Sequence, residues 1–248
     1  MFFSFEKDKT SVPVCVVNSE IGNRIIYYYD EQPKDGFKKY SAKKGETLFP
    51  IPFKVKNQRV CCNIIGKSGS GKSRFVNRLV KELTKVDKST KNNYLITAST
   101  EKDPAFTIDL GIVDIPYTME NSTIEDSSNS NMIFDDWLNS TSKEQDEFVL
   151  SFAKQLLERS RKLNTNLFIL NHDARNFNQT KLILLESSSF VVFPKTNLNA
   201  AIKLGKSYLQ WEKSDIDFLK SIDNGRFTFV FIQINPSFWI SQDRIQFV

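Results

Sequence analysis

Eight consecutive residues, Gly66-Lys67-Ser68-Gly69-Ser70-Gly71-Lys72-Ser73, restrict what this chain can fold into more than any other stretch. They satisfy G-x-x-x-x-G-K-[ST] at every fixed position. The run before them, Arg59 to Ile65, is short and largely apolar and reads as a buried strand. The run after them sets Phe75, Val76, Leu79, Val80 and Leu83 on one face of a helix. Strand, glycine-rich loop and helix, in that order, form the context of a phosphate-binding loop. A Gly/Ser turn matching by chance would lack these flanks. Gly66, Gly69 and Gly71 let the loop curl until its N–H groups and the helix N-terminus surround an anion. Lys72 then places a point charge at the β- and γ-phosphates of ATP, and the Ser73 hydroxyl ligates Mg2+. Lys67, Ser68, Ser70 and Arg74 complete the nucleotide-binding stretch.

Downstream, alternating strand and helix patterns predict an α/β protein with a mostly parallel sheet and helices on both faces. In such a sheet, ligands bind at the carboxyl ends of the strands. Asn131-Met132-Ile133-Phe134-Asp135-Asp136 is an apolar strand ending in two carboxylates, the pattern of a Walker B element. Asp135 is the expected Mg2+ partner of Ser73, and Asp136 the group that orients or deprotonates the attacking water. Glu is the more usual residue at that second position. The competing reading of the pair is an acidic N-cap for the next helix. That helix, Lys143 to Lys162, is strongly amphipathic and ends in Arg159-Ser160-Arg161-Lys162. Its arginines can reach a neighbouring subunit's nucleotide or simply stabilise the helix C-terminus. The strand Asn166 to Leu170 follows, closed by Asn171-His172-Asp173. Asn171 and His172, the one histidine of the chain, are candidates for touching the γ-phosphate or the attacking water.

Residues 1–57 read as a small β-rich N-terminal extension and 58–248 as the ATPase core. Strands are expected at Ser11 to Val17 and Arg24 to Tyr29, and Pro50 and Pro52 mark a linker. Phe37 to Glu46 carries Lys38, Lys39, Lys43 and Lys44, a DNA-facing edge or an ordinary solvated loop. Glu120 to Asn131 reads as an exposed, mobile loop. Toward the end, helices are expected at 181–186, 198–209 and 213–222, and strands at Ser189 to Phe193, Arg226 to Ile232 and Phe238 to Ile240. A net charge of +5 permits contact with nucleic acid without demonstrating it. The three cysteines, Cys15, Cys61 and Cys62, have neither metal-site spacing nor a disulfide framework, which fits free thiols in a reducing, intracellular compartment. No apolar run reaches the length of a membrane span, and no signal sequence is visible.

Together, the phosphate loop, Ile133-Phe134-Asp135-Asp136 and Arg159-Ser160-Arg161-Lys162, followed by Asn164 and the strand ending Asn171-His172, resemble the FtsK–HerA superfamily of P-loop motors. Within it they are most similar to the genome-packaging ATPases of large DNA viruses. The stretch Ser187 to Pro194, ending in Phe-Pro, also looks like that branch. The resemblance covers about residues 58–248. It implies a RecA-like core, a homo-oligomeric ring and ATP-driven translocation of double-stranded DNA. It further implies capsid or vertex proteins as docking partners and a place of work in the host cytoplasm or virion. By position, Arg161 matches the family's trans-acting arginine, with Arg159 beside it. His172 stands where a Gln is frequent, and Asp136 where Glu is usual. Two other readings stay open: a nucleoside or nucleotide kinase, and a non-hydrolysing P-loop scaffold of a virion. The segment after Phe193 has no arginine before Arg226, which weakens the kinase, since a kinase needs an arginine-rich lid.

Overall fold

Period-two runs of β-branched and aromatic residues open the chain, and they form strands. The structure is a computed structural model. It describes residues 1–53, 59–99, 103–106, 111–115, 123–138, 142–172, 177–208, 211–221, 227–231 and 237–247. Contacts divide the chain into two units, Met1–Phe53 with Ser189–Val248, and Lys54–Ser188. The first unit begins with strands β1 (Phe2–Ser4), β2 (Val12–Asn18), β3 (Arg24–Tyr29), β4 (Lys39–Ser41) and β5 (Thr47–Pro50). An antiparallel four-stranded sheet is built from them in the order β1-β3-β2-β5. The register of β2 shifts between Pro13 and Cys15. Proline cannot donate to the ladder, so it is tolerated at such an irregularity.

The second unit holds β6 (Cys61–Ile65), α1 (Lys72–Val86), β7 (Asn92–Thr97), β8 (Ile112–Asp114), a 3-10 turn at Ile124–Ser127, β9 (Ser130–Asp135), α2 (Lys143–Leu163), β10 (Asn166–Asn171) and α3 (Phe177–Glu186). The strands pair in parallel in the order β6-β10-β9-β7-β8. A parallel sheet is covered on both faces, and every residue of β6 and β9 is buried. On one face α2 lays Val149, Phe152, Ala153, Leu156 and Leu157 into a single cluster with Met132, Phe134, Leu167 and Ile169. Helix α1 packs on β6 and β10. The last strand in sequence, β10, is inserted between β6 and β9, so the carboxyl ends of all three lie side by side.

Near the amino ends of the strands, three asparagines in register fix the pairing. Asn166 Nδ2 donates to Asn131 Oδ1 and Asn131 Nδ2 to Asn93 Oδ1, both at 2.8 Å. The Val60 N–H completes the row on Asn166 Oδ1 at 3.2 Å. A slip of one residue would set each amide against apolar neighbours.

The chain then returns to the first unit with β11 (Ser189–Val192), α4 (Pro194–Tyr208), α5 (Lys213–Lys220), β12 (Thr228–Phe231), β13 (Phe238–Ser241) and β14 (Arg244–Phe247). Strands β11 to β14 run antiparallel in sequence order, and β4 adds to β14, antiparallel again. Phe3 stacks on Phe247 at 4.2 Å and meets Phe238 edge-on at 5.6 Å. These long-range contacts draw residues 189–248 to the first 53, a division different from the expected one of 1–57 and 58–248. Part of the basic run expected as a loop is strand β4, because β14 offers it a free edge. The expected mobile loop contains the 3-10 turn, closed by a capping box between Thr123 and Asp126. Its start at 120–122, the linker at 54–58, Asp173, residues 209 and 222 and the ends Arg226 and Ile232 of an expected strand lie outside the described residues. No helix among the described residues is long and apolar enough to cross a membrane.

Candidate active site

The loop between β6 and α1 takes its shape from two glycines. Gly69 and Gly71 have φ of 74° and 94°, and a Cβ on either would meet nothing within 4 Å. The backbone angle, not space, therefore demands glycine here. The Gly66 N–H donates to the Asn171 carbonyl at 3.0 Å, which ties the loop to the end of β10. Gly71 caps α1 without any side-chain hydrogen bond, so the helix start keeps N–H groups to offer. Lys72 is buried and folded across the loop, its Nζ donating to the Gly66 carbonyl at 2.9 Å and the Lys67 carbonyl at 3.3 Å. Burial lowers its pKa, opposed by the charges of Asp135, Asp136 and Asp103. Lys67, Ser68 and Arg74 are exposed around the loop, whereas Ser70 turns a buried hydroxyl inward that has no partner.

Across the sheet, the Ser73 hydroxyl donates to Asp135 Oδ2 at 3.2 Å. Asp135 is buried, and burial raises its pKa, reinforced by the charge of Asp136. A hydroxyl and a carboxylate held together, with negative charge in excess over Lys72, fit Mg2+; Ser73 and Asp135 would hold it, and it would neutralise charge on the phosphates. No group of three or more His, Cys, Asp or Glu side chains among the described residues is arranged as a metal cage. Mg2+ seldom uses one, since it keeps waters and phosphate oxygens as ligands.

Asp136 follows β9 with φ of 48°, a left-handed conformation in a residue that has a Cβ. That angle costs about 1 kcal/mol. It brings Asp136 Oδ1 to 2.5 Å from His172 Nε2 just past the end of β10. Both side chains are 43% exposed, so water reaches the pair. Asn171, one residue earlier, donates its Nδ2 to Asn63 Oδ1 at 2.9 Å. The topology thus collects Lys72, Ser73, Asp135, Asp136, Asn171 and His172 at one end of the sheet.

Arg159 and Arg161 lie elsewhere. Helix α2 runs back along the sheet, and the N–H of Asn129, just before β9, bonds to the Leu163 carbonyl at its end. The two arginines are therefore beside the strand starts, the length of a strand away from their own phosphate loop. Arg159 pairs with Glu125 at 2.7 Å. Arg161 is exposed and makes no ion pair among the described residues, and it stands with Lys162 in the last turn of the helix.

Two further residues join the site. Asp103 acts electrostatically on Lys72 and Asp135. Its loop is fastened to α1 where Asn77 Nδ2 donates to the Ala105 carbonyl at 2.5 Å, and Phe106 is buried beneath it. Nothing in a polar stretch distinguishes this aspartate beforehand. Asn63 carried a signal, a lone amide in the apolar run Cys61 to Ile65.

No protein-family model and no curated protein matches the sequence. Among solved structures, the chain is similar to the genome-packaging NTPase of Sulfolobus turreted icosahedral virus 2 in complex with ATP-gammaS, at 9% identity over 76% of this chain and 98% of that one, with a TM-score of 0.48. It is also similar to the cytoplasmic domain of the type VII secretion ATPase EccC of Thermomonospora curvata, at 12% identity over 98% of this chain and 29% of that one, with a TM-score of 0.49. The pCW3 conjugation coupling protein TcpA is a third, at 11% identity over 99% of this chain and 76% of that one, with a TM-score of 0.44.

Proposed function

We propose that this chain is a Mg2+-dependent ATPase that translocates double-stranded DNA as a homo-oligomeric ring, in the manner of the viral genome-packaging motors its motifs resemble. The observation that carries the hydrolytic part is the insertion of β10 between β6 and β9. It sets Asn171 and His172 between the phosphate loop and the two carboxylates, where a γ-phosphate and its attacking water would sit. Lys72 turns from the loop carbonyls to the β- and γ-phosphates. Ser73 and Asp135 hold the metal. Asp136, oriented by His172, accepts the proton of the water. A kinase has no need of that last pair, because its acceptor is a second substrate. A scaffold has no need of a strained carboxylate aimed at a histidine.

The DNA part rests on the sequence resemblance, as do the ring, the capsid or vertex partners and the setting in host cytoplasm or virion. ATP turnover with and without duplex DNA tests the whole reading. DNA-stimulated turnover is expected. Turnover that appears only with an added nucleoside would establish the kinase, and none at all the scaffold. Lys72→Ala should lower turnover by about 100-fold or more, the scale of losing a group aimed at transition-state charge, and should weaken nucleotide binding. Unchanged turnover in that variant would remove the phosphate-loop assignment.

A further inference from the structure

Asn63 is 1% exposed, accepts one hydrogen bond from Asn171, and leaves its own Nδ2 buried with no hydrogen-bond partner. An unsatisfied buried donor is rare because its lost hydration is not replaced, and it calls for an explanation. The neighbouring amide supplies one. In the observed arrangement Asn171 spends its N–H2 on Asn63, and its Oδ1 is the group left over. A carbonyl oxygen can accept from water but repels a phosphate oxygen, which is itself only an acceptor. Half-turns of both amides about their last side-chain bonds exchange the roles. Asn63 then donates to Asn171 Oδ1, the orphan donor finds its acceptor, and the Asn171 N–H2 is released. Amide oxygen and nitrogen are close in size, so the exchange requires little repacking. The Asn171 backbone stays fixed meanwhile, because its carbonyl holds the Gly66 N–H at 3.0 Å.

We propose that Asn63 is a positioning residue, paired with Asn171 in a two-state amide relay that reports whether the terminal phosphate is present. The relay rests on the assignment of Asn171 to that phosphate. With the phosphate in place, its negative charge favours the arrangement in which Asn171 offers N–H2. Once it has left, the observed arrangement returns. The pair biases an equilibrium between two nearly balanced states, and the ligand shifts it because it interacts differently with each.

Asn63→Leu tests the relay. The variant removes the orphan donor, so its thermal unfolding midpoint should not fall. Turnover should drop by about tenfold, the scale of one charge-assisted hydrogen bond misplaced in the transition state, with KM for ATP little changed. The preference for a non-hydrolysable ATP analogue over ADP should shrink by a similar factor, and Asn63→Leu should add nothing to Asn171→Ala. Asn63→Asp keeps the size and can only accept when ionised, so it should hold Asn171 in the observed state and lose the preference as well. Wild-type turnover and preference in Asn63→Leu, with Asn171→Ala impaired, would overturn the relay alone. So would a lowered midpoint with the preference intact, since that is a packing role. If Asn171→Ala itself behaves as wild type, the assignment of Asn171 falls, and the relay with it.

Discussion

Asp135 and Lys72 are both held against their preferred charge by burial, the carboxyl raised and the ammonium lowered in pKa. Such strain belongs at a site that waits for a cation and an anion. An acid whose pKa is higher in the folded than in the unfolded state destabilises the fold while ionised, and this penalty disappears as pH falls through the raised value. Asp135→Asn should therefore be more stable than wild type at neutral pH, and the difference should close on acidification. Urea unfolding midpoints of the nucleotide-free proteins across the acid range measure this. A gap that widens at low pH would contradict the burial argument. Asp136 calls for a different substitution. Asparagine tolerates the left-handed angle, so Asp136→Asn changes charge with little backbone strain. Mg2+–ATP binding should persist while turnover falls by about 10²- to 10⁴-fold, the usual contribution of a general base. If binding collapses instead and Asp135→Asn is mild, the two carboxylates have exchanged roles.

At the level of elements, the parallel sheet is pinned by the asparagine row and α4 by a glycine. Asn131→Leu would strand Asn93 Oδ1 and Asn166 Nδ2 in the interior, at a cost of about 2 kcal/mol or more. Chemical denaturation should show a lower midpoint with an unchanged m-value. In α4, a Cβ on Gly205 would lie 1.9 Å from Trp211 Cε3 and 2.4 Å from Cδ2. Gly205→Ala must displace that indole from Trp239, whose ring centroid is 4.4 Å away, and should cost about 1–3 kcal/mol despite alanine's better helix propensity. A stabilised variant would show that the ring moves freely. The helices themselves were legible, because α1 and α2 carry their apolar residues at helical spacing over fifteen and twenty-one residues. Strands β1, β4, β5 and β14 were not, since segments of three or four residues become strands only when a partner edge is present.

For the whole molecule the decisive quantity is assembly. The two arginines of α2 are remote from their own phosphate loop, and in a ring that edge can face the next subunit's nucleotide. An arginine supplied in trans acts mainly in the transition state, so Arg161→Ala should lower turnover by about 10³-fold or more while sparing ATP affinity. Mixing Arg161→Ala with Lys72→Ala subunits should restore part of the activity, since some interfaces then hold one intact loop and one intact arginine. A dead Arg161→Ala that mixing leaves dead would place its role in cis or in the helix end. Arg159→Ala is the companion variant, already tied to Glu125. DNA affinity should fall steeply with salt and vary little among unrelated duplexes, as phosphate contacts require. Equal affinity at low and high salt would argue against the motor.

The sequence by itself determined the phosphate loop, the carboxylate strand and the alternation of β and α in the second unit. Each depends on neighbours within a few residues, such as glycines where φ is positive, apolar runs where both faces are covered, and helical spacing where one face is. The tertiary structure decided what those segments do to one another. Only the insertion of β10 between β6 and β9 brings His172 to Asp136 and Asn171 to Asn63, and only the folded loop carries Asp103 toward Lys72. It also joined residues 189–248 to the first 53 through β4 on β14 and Phe3 on Phe247. Such pairings are chosen by free edges and buried rings far apart in the chain, which no local pattern records.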